Sequence, residues 1–366
     1  MLHAHQLKPS FRAIALVLFL CSESLISIAW GQEIFTPKRP IASLVKAHTI
    51  YLQTEVVKGG VQIDPQPVTD VITQRFQQMG YKIVTNFNAP HDVTVSFQCE
   101  EPIRIQPPTN STDKYTIQIS GPPCLFHYAV QEKPVDWQRI DIIIYNEGVQ
   151  AAESLNRMTT GFPSMAHAAP LSSQYLEVLD FPTLLSAEWG QVPRLVALLE
   201  NSQTSLQRRK KIIALLGEIQ AEQALPCLLD LLSNSTLQID AAWALGNFGA
   251  QAQEPLITLL QTHPNEKMQA AAAQSLGRIG AATGDTSLTP LYLELLKKPG
   301  LDIQVKTEIV WAIGKSPDFR AHPTLESLER EIWSIRSDEP ELKKLREAVD
   351  WSIREVRQGG HTDAYS

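Results

Sequence analysis

The sequence predicts an α-solenoid of helical hairpins preceded by a small α/β domain. Prolines recur through the C-terminal half of the chain at steps of 29 to 35 residues, and a Leu-Gly or Ile-Gly pair follows each of the first four. A fixed period of this size is typical of stacked helical repeats. Strand-like alternation of apolar and polar residues is confined to residues 49–145, which predicts the α/β domain. The prolines are Pro193, Pro226, Pro255, Pro290 and Pro323.

Each repeat is expected to contain two helices. The proline opens the first helix, because its missing N–H is no loss at the first helical position and its fixed φ is already helical. The glycine lies in the second helix, where the absence of a side chain permits the close approach of a neighbouring helix. The glycine pairs are Leu216-Gly217, Leu245-Gly246, Leu276-Gly277 and Ile313-Gly314.

Two further features support the repeat assignment. Eleven residues before each Leu or Ile stands a residue type that caps helices, and these are predicted to cap the second helices. A fifth unit, from Pro323 to Ile353, is longer and more charged, which suits a terminal repeat with one polar side. The predicted caps are Ser205, Asn234, Asn265 and Asp302.

The second and third repeats resemble a known family. Ala-Ala-Trp-Ala-Leu-Gly-Asn-Phe-Gly at 241–249 and Ala-Ala-Ala-Gln-Ser-Leu-Gly-Arg-Ile-Gly at 271–280 resemble the HEAT-like repeats first associated with phycobilisome lyases. The resemblance covers the C-terminal half of the chain and implies a HEAT-like α-solenoid. It implies no chemistry, because repeats of this class occur in lyase subunits, scaffolds, adaptors and assembly factors.

The N-terminal region predicts one helix and several strands. Apolar residues at three- and four-residue steps from Val68 to Met79 indicate a helix that stops at Gly80, with a β-rich run after it. Alternation predicts strands at 93–97 and 140–144. Residues 151–173 have no sustained period and are punctuated by Gly and Pro, which predicts a linker. The predicted organisation is a signal peptide at 1–31, an α/β domain at 45–150, a linker at 151–173, the solenoid at 174–357 and a polar tail at 358–366.

The first residues have the three parts of a secretion signal. Lys8 and Arg12 supply the positive region, residues 13–20 the apolar stretch, and Ala29-Trp30-Gly31 a small-x-small cleavage site. Glu23 interrupts the apolar run, which argues against a retained membrane span. The sequence therefore predicts a secreted or periplasmic protein without a membrane span after cleavage. An uncleaved anchor and a helix of the mature fold are the alternatives.

Cleavage of this signal leaves three cysteines in an oxidising compartment. Cys99 and Cys124 flank a segment between strand-like runs at 93–97 and 115–119, which a hairpin would bring together. They are predicted to form a disulfide that stabilises the α/β domain by about 3 kcal/mol. Two unpaired, partly buried thiols are the alternative. Cys227 lies among leucines and is predicted to be a buried thiol.

The sequence contains no recognisable catalytic motif. The histidines after the signal lie at no metal-ligand spacing from one another or from a cysteine, and the His-Glu pairs with which HEAT-like hydroxylases bind iron are absent. The acidic pairs at 141 and 147 and at 100 and 101 are interpreted as solvated side chains rather than as an acid and a base. We predict a non-catalytic protein with no cofactor and no metal. The basic run at 208–211 is interpreted as a solvated helix face, with contact to an acidic partner as the alternative.

The candidate binding residues belong to two columns of the second helices, two residues before and two residues after each Leu or Ile. In stacked hairpins these positions line one continuous concave surface. Tryptophans with polar and basic neighbours are typical of a protein-binding hot spot, although packing of both indoles between hairpins is the alternative. The predicted protein-binding residues are Trp243, Gln274, Trp311, Asn247, Arg278 and Lys315.

The overall charge helps to restrict the class of partner. A formal net charge of -7 argues against a dedicated nucleic-acid binder. The leading hypothesis is an exported, non-catalytic scaffold or adaptor that binds a protein partner of unknown identity on the concave face of the solenoid. One alternative is a lyase-like or chaperone subunit acting on a cofactor-bearing client protein. The other is a cell-envelope assembly factor acting through the α/β domain.

Overall fold

The computed structural model describes residues 41–101, 123–136, 139–161 and 171–362, which belong to one compact unit. Within these ranges a mixed sheet with its own helices is followed by a helical solenoid, which confirms the predicted fold class. The predicted signal peptide and the predicted strand at 115–119 lie outside the described residues.

The N-terminal sheet is built around its first strand. Strand β1 pairs in parallel with β4 on one side, and on the other side it pairs in parallel with β3 and antiparallel with β2. From β4 the sheet continues through antiparallel pairs to β5 and then β6. The described strands are β1 (Thr49–Lys58), β2 (Val61–Gln62), β3 (Lys82–Val84), β4 (Val93–Glu100), β5 (Cys124–Val130) and β6 (Lys133–Val135).

A short helix, α1 (Ala42–Val45), precedes β1, and α2 (Gln66–Gln78) is the predicted amphipathic helix. Val68 and Phe76 of α2 are buried against the sheet. Gly80 follows the end of α2 with a φ of 78°, a left-handed conformation that glycine adopts without strain. The predicted run of helix, glycine stop and strand is therefore confirmed.

One face of the sheet carries the core of this region. Val93, Val95 and Phe97 of β4 are buried on this face, as the predicted alternation requires. Phe97 and Phe76 both contact Phe181, with ring centroids 5.0 and 6.3 Å from it. Because Phe181 belongs to the helices that follow the sheet, these aromatic contacts extend the core of the sheet into the helical region.

Cys99 and Cys124 form a disulfide between β4 and β5. The two residues lie directly opposite each other in the antiparallel pair, with Cα atoms 4.0 Å apart, and both are buried. The second strand of the hairpin thus begins at Cys124 itself. Cys227 is a free thiol and is only partly buried, so its predicted complete burial is wrong.

Helix α3 (Asp141–Gly161) stands where a strand was predicted at 140–144 and where the predicted linker at 151–173 begins. The strand prediction is wrong because the buried positions of this stretch continue at helical rather than alternating steps, all on one face of α3. The predicted linker is accordingly helical over its first eleven residues, 151–161. The buried positions are Ile140, Gly148, Ala151, Ala152 and Leu155.

The remaining described helices begin with α4 and α5 and continue as five hairpins. The second helices of the hairpins stack in one row, α7 against α9, α9 against α11, α11 against α13 and α13 against α15. The predicted tail at 358–366 is helical as far as residue 362. The helices are α4 (Leu171–Leu179), α5 (Phe181–Glu188), α6 (Val192–Glu200), α7 (Leu206–Glu218), α8 (Leu225–Asp230), α9 (Gln238–Leu245), α10 (Ala250–Thr262), α11 (Glu266–Thr283), α12 (Thr289–Leu296), α13 (Ile303–Lys315), α14 (His322–Ser334) and α15 (Pro340–Thr362).

Three of the four predicted caps are observed. Ser205, Asn265 and Asp302 each accept a hydrogen bond from a first-turn backbone N–H of α7, α11 and α13. Asn234 instead accepts a hydrogen bond from the N–H of Thr236, at 3.0 Å, within the turn before α9. That prediction is wrong because α9 begins four residues after Asn234, beyond the reach of its side chain.

The prolines open their helices in four of the five repeats. Pro255 is the exception, because α10 begins at Ala250 and Pro255 lies inside it. Five helical residues therefore precede Pro255. The helix begins directly after Gly249, whose φ is 61°. The regular proline step marks the repeat correctly, but it does not mark the first residue of every helix.

The glycine of each Leu-Gly pair faces the second helix of the next repeat. A Cβ added at Gly277 would lie 2.8 Å from the Cα and Cβ of Ala312, closer than carbon atoms pack. The corresponding closest distances at Gly217 and Gly246 are 2.9 and 3.0 Å. The predicted close approach of helices is therefore confirmed. In the fifth repeat this position is Arg354, which is exposed on α15, the last described helix.

A buried carboxylate joins the sheet to the helices. Glu188, at the end of α5, accepts a hydrogen bond from the hydroxyl of Tyr128 in β5 at 3.0 Å. The same carboxylate accepts the backbone N–H groups of Arg139 and Ile140, at 2.9 and 3.1 Å. Trp189 is completely buried next to it, 5.9 Å from the ring of Tyr128. The sheet, the start of α3 and the first hairpins consequently share one hydrophobic core.

Candidate functional site

The exposed sides of the second helices, α7, α9, α11, α13 and α15, form what we call the second-helix surface. Contact at the glycines places each helix directly against the next. Residues two before or two after each Leu or Ile therefore lie beside their counterparts in the neighbouring repeats. An added Cβ at Gly314 would meet Trp351 and Ser352, so Trp351 extends the column of Trp243, Gln274 and Trp311 into the fifth repeat.

An open cavity of about 330 Å³ lies on this surface where α7, α9 and α11 meet. It brings together four of the six predicted binding residues, all of them from the second and third repeats. Both signs of charge occur in its walls, and Lys210 forms an ion pair with Asp240 at 3.2 Å. The lining residues are Lys210, Ala214, Glu218, Asp240, Trp243, Ala244, Asn247, Gln274 and Arg278.

Trp243 is the most prominent apolar residue of the cavity. Its side chain is exposed, with 43% of the residue accessible to water. An indole of this size is usually more deeply covered in a folded protein, because it carries a large apolar area. The structure therefore places Trp243 where a partner could cover it, which packing between hairpins would not allow.

Trp311 occupies the same column but has a different environment. Its indole is partly buried and packs on Trp351, with ring centroids 5.0 Å apart at an angle of 44°. Part of its apolar area is thus already covered within the chain. The two predicted tryptophans are equivalent in register but not in exposure.

Arg278 is held in a fixed orientation above the cavity. Its Nη1 donates to the backbone oxygen of Trp243 at 3.2 Å and to Oδ1 of Asn247 at 3.1 Å. Both acceptors belong to the preceding repeat, so the guanidinium bridges two repeats. The remaining donors, on Nε and Nη2, have no hydrogen-bond acceptor among the residues that the structure describes.

Lys315 follows Arg278 in the same column, one repeat further on. Its side chain is exposed, and in the described ranges it has neither a hydrogen bond nor an ion pair. The surrounding helices nevertheless keep some water away from the ammonium group, which lowers its pKa, and the charge of Arg278 lowers it further. Glu308 of the same helix acts in the opposite direction. Burial in turn raises the pKa of Glu308.

The basic run at 208–211 is not a solvated face, so that prediction is wrong. Arg208 binds Asp180 with two hydrogen bonds at 2.6 and 2.8 Å. Lys211 forms an ion pair with Glu147 at 2.8 Å. Arg208 and Lys211 thus pair with acids from elements earlier in the chain, and Lys210 pairs with Asp240 of α9. A single helical pattern does not reveal this arrangement.

Two of the acidic residues considered for catalysis have structural partners, and the interpretation of Glu101 as a solvated side chain is wrong. Glu101 is buried and accepts the N–H groups of Leu171 and Ser172 at the start of α4, at 2.7 and 3.1 Å. Glu147 is the partner of Lys211. Among the described residues, no cluster of three or more His, Cys, Asp or Glu side chains is arranged to hold a metal ion. None of the helices in that part of the chain is both long and apolar enough to cross a bilayer.

We expect Trp243→Ala to leave the unfolding free energy within about 0.5 kcal/mol of the original value, because an exposed indole contributes little packing. Trp311→Ala should lower it by about 2 kcal/mol, because the contact with Trp351 is lost. Thermal and urea denaturation measure both. Trp333→Ala is the matched control, since Trp333 is 57% exposed and belongs to a first helix, α14. Equal losses for Trp243→Ala and Trp311→Ala would contradict the difference in burial.

Comparison with protein families identifies the repeat. Residues 232–300 match the family described as HEAT repeats, a region that runs from the turn before α9 to the end of the fourth repeat's first helix. Within the solenoid, residues 232–300 are therefore similar to HEAT repeats. No curated protein matches the chain in sequence.

Proposed function

We propose that this HEAT-repeat protein is an exported, non-catalytic scaffold or adaptor that binds a protein partner on the second-helix surface. The observation that carries the proposal is the exposed indole of Trp243 beside the oriented guanidinium of Arg278 at one cavity. Tryptophan and arginine are the side chains that most often dominate the binding energy of protein interfaces. Stacked repeats also supply the extended surface on which such partners bind.

The character of the cavity favours a protein over a small molecule. Small-molecule sites are mostly apolar and enclose most of their ligand. This cavity is open, and its walls include the ion pair of Lys210 with Asp240 as well as Glu218. One or two side chains projecting from a partner would fill about 330 Å³ and leave the charged rim in contact with the partner's surface.

Two observations support export and the absence of catalysis within this proposal. A disulfide such as Cys99–Cys124 forms and persists in oxidising compartments. Glu101 and Glu147 are engaged in a helix cap and an ion pair, which leaves neither as a free general acid or base.

Site-specific crosslinking tests the proposed surface. The photoreactive residue p-benzoylphenylalanine is placed at position 243 in the full chain, expressed in its native host and irradiated. We expect one discrete crosslinked partner that mass spectrometry identifies. The same residue at position 333 is the control, because Trp333 is also exposed but lies on α14.

Crosslinking that is absent at 243, or equal at 243 and 333, would contradict binding on the second-helix surface. The identity of the partner also separates the biological roles. A cofactor-bearing partner supports the lyase-like or chaperone role that the repeat resemblance implies, and envelope proteins support a role in assembly.

A further inference from the structure

We infer that the partner presents an acidic side chain to the second-helix surface, between Arg278 and Lys315, with a neighbouring apolar side chain over Trp243. The inference rests on the proposed function and adds the chemistry by which the partner is recognised. The occupant is thus an acidic peptide segment with an apolar residue close to its carboxylate.

The first argument is the orientation of Arg278. Two hydrogen bonds through Nη1 to the preceding repeat fix the plane of the guanidinium. The edge that carries Nε and Nη2 is left without an acceptor in the described part of the chain. Parallel N–H groups on this edge match the two oxygens of a carboxylate. Because the arginine is already oriented, little side-chain entropy is lost when a carboxylate binds.

The second argument is the pair of like charges. Arg278 and Lys315 occupy equivalent positions on α11 and α13, whose backbones touch at Gly277 and Ala312. No carboxylate lies within ion-pair distance of either cation among the described residues. Helix axes at such close contacts are about 8 Å apart, so the flexible side chain of Lys315 can reach an anion that is bound to the oriented Arg278.

The third argument is the continuity between the cations and the apolar site. Arg278 donates to the backbone oxygen of Trp243, so its guanidinium lies directly beside the residue that carries the exposed indole. A segment whose carboxylate binds Arg278 therefore has its adjacent side chains above the cavity. An apolar side chain there would cover the indole and remove its apolar area from water.

The charges around the site favour a carboxylate over a polyanion. Glu218 and Asp240 line the cavity, and Glu308 faces Lys315. These acids would repel successive phosphates of a nucleic acid, and the whole chain carries a net charge of -7. A single acidic side chain, flanked by apolar or basic residues, fits this pattern of two cations between acids.

Two synthetic peptides test the inference directly. The probes are acetyl-Glu-Leu-Phe-Glu-amide and its neutral twin acetyl-Gln-Leu-Phe-Gln-amide, titrated into the ¹⁵N-labelled full chain. The indole N–H resonance of Trp243, assigned with Trp243→Phe, is followed by NMR. We expect the acidic peptide to bind about tenfold more tightly, and added salt to reduce the difference. Inorganic phosphate is a third probe and is expected to leave the resonance unchanged.

Charge removal in the crosslinking experiment provides the second readout. Lys315→Gln should reduce crosslinking from position 243 by about tenfold, because it removes one of the two cations that bind the partner's carboxylate. Lys297→Gln, an exposed lysine of the same hairpin at the end of α12, is the matched control and should have no effect. Melting temperatures of both variants verify that the fold is intact.

The outcomes distinguish the inference from the proposed function. Three results would each contradict the inference that the partner presents an acidic side chain. They are equal binding of the two peptides, stronger binding of phosphate, and undiminished crosslinking by Lys315→Gln. A partner would then still be captured from position 243, and the proposed surface would stand. Failure of any crosslink at 243 contradicts the surface itself.

Discussion

Replacement of Glu188 by alanine is expected to lower the free energy of unfolding by about 3 to 5 kcal/mol. The carboxylate is buried and accepts the Tyr128 hydroxyl together with the backbone N–H groups of Arg139 and Ile140. Truncation leaves these donors without their acceptor inside the core. It also removes the negative charge that stabilises the partly buried guanidinium of Arg139. Urea unfolding followed by circular dichroism measures the loss.

Two further variants identify the cause of this loss. Glu177→Ala changes an exposed glutamate on α4 and should alter stability by less than about 0.5 kcal/mol. Glu188→Gln keeps the shape of the side chain and an acceptor oxygen for the two N–H groups, but it removes the negative charge beside Arg139, so it should destabilise the chain less than alanine does. Full stability of Glu188→Gln would show that the charge at this position contributes little.

The second large effect concerns the glycine column. We expect Gly277→Val to destabilise the chain by about 3 kcal/mol, because a Cβ at this position meets the backbone of Ala312 at 2.8 Å. A clash with a Cα atom cannot be relieved by a change of rotamer, so α11 and α13 must move apart. Unfolding in urea again provides the measurement.

The fifth repeat supplies the control for this substitution. Arg354→Val introduces the same side chain at the equivalent position of α15, where the residue is exposed. Its effect should be limited to the lower helix propensity of valine, about 0.5 kcal/mol. Valine has a higher helix propensity than glycine, so a loss at Gly277→Val no larger than that at Arg354→Val would contradict the steric argument.

The repeat architecture was predictable because each of its features is local. A proline, a cap and a glycine recur at fixed distances along the chain, and each has a backbone role that depends little on distant residues. The misplacements arose where the turn length varied. Asn234 and Pro255 both occupy the positions that the repeat alignment gives them. The helix next to Asn234 begins four residues after it, and the helix that contains Pro255 begins five residues before it.

The region between sheet and solenoid was harder to predict, because one of its helices, α5, lacks a polar face. All eight residues of α5, from Phe181 to Glu188, are buried, so α5 shows no amphipathic period. Glu188 looks like a surface residue in the sequence, whereas it is a buried acceptor. Its donors lie about 50 residues earlier in the chain, and only the fold brings them together.

The sequence predicted which residues occupy equivalent positions on the candidate surface, but it did not predict how exposed each of them is. The columns correctly placed Trp243 and Trp311 at equivalent positions. Their difference in exposure depends on Trp351, which the alignment on Leu-Gly missed because Ile353 is followed by arginine in the fifth repeat. Extending the alignment by its apolar positions alone would have found this third tryptophan.

The arginine that ends the glycine column also bears on association between copies of the chain. The end of a stack of similar repeats resembles the surfaces that contact each other between repeats inside it. A glycine without a covering helix at the last second helix would therefore accept a helix of another molecule. Contacts of that kind do not close on themselves and generate filaments. Arg354 instead presents a long charged side chain to solvent at this end. The same position that sets the spacing of the helices thus carries, on the last described helix, a charged side chain that opposes this kind of contact.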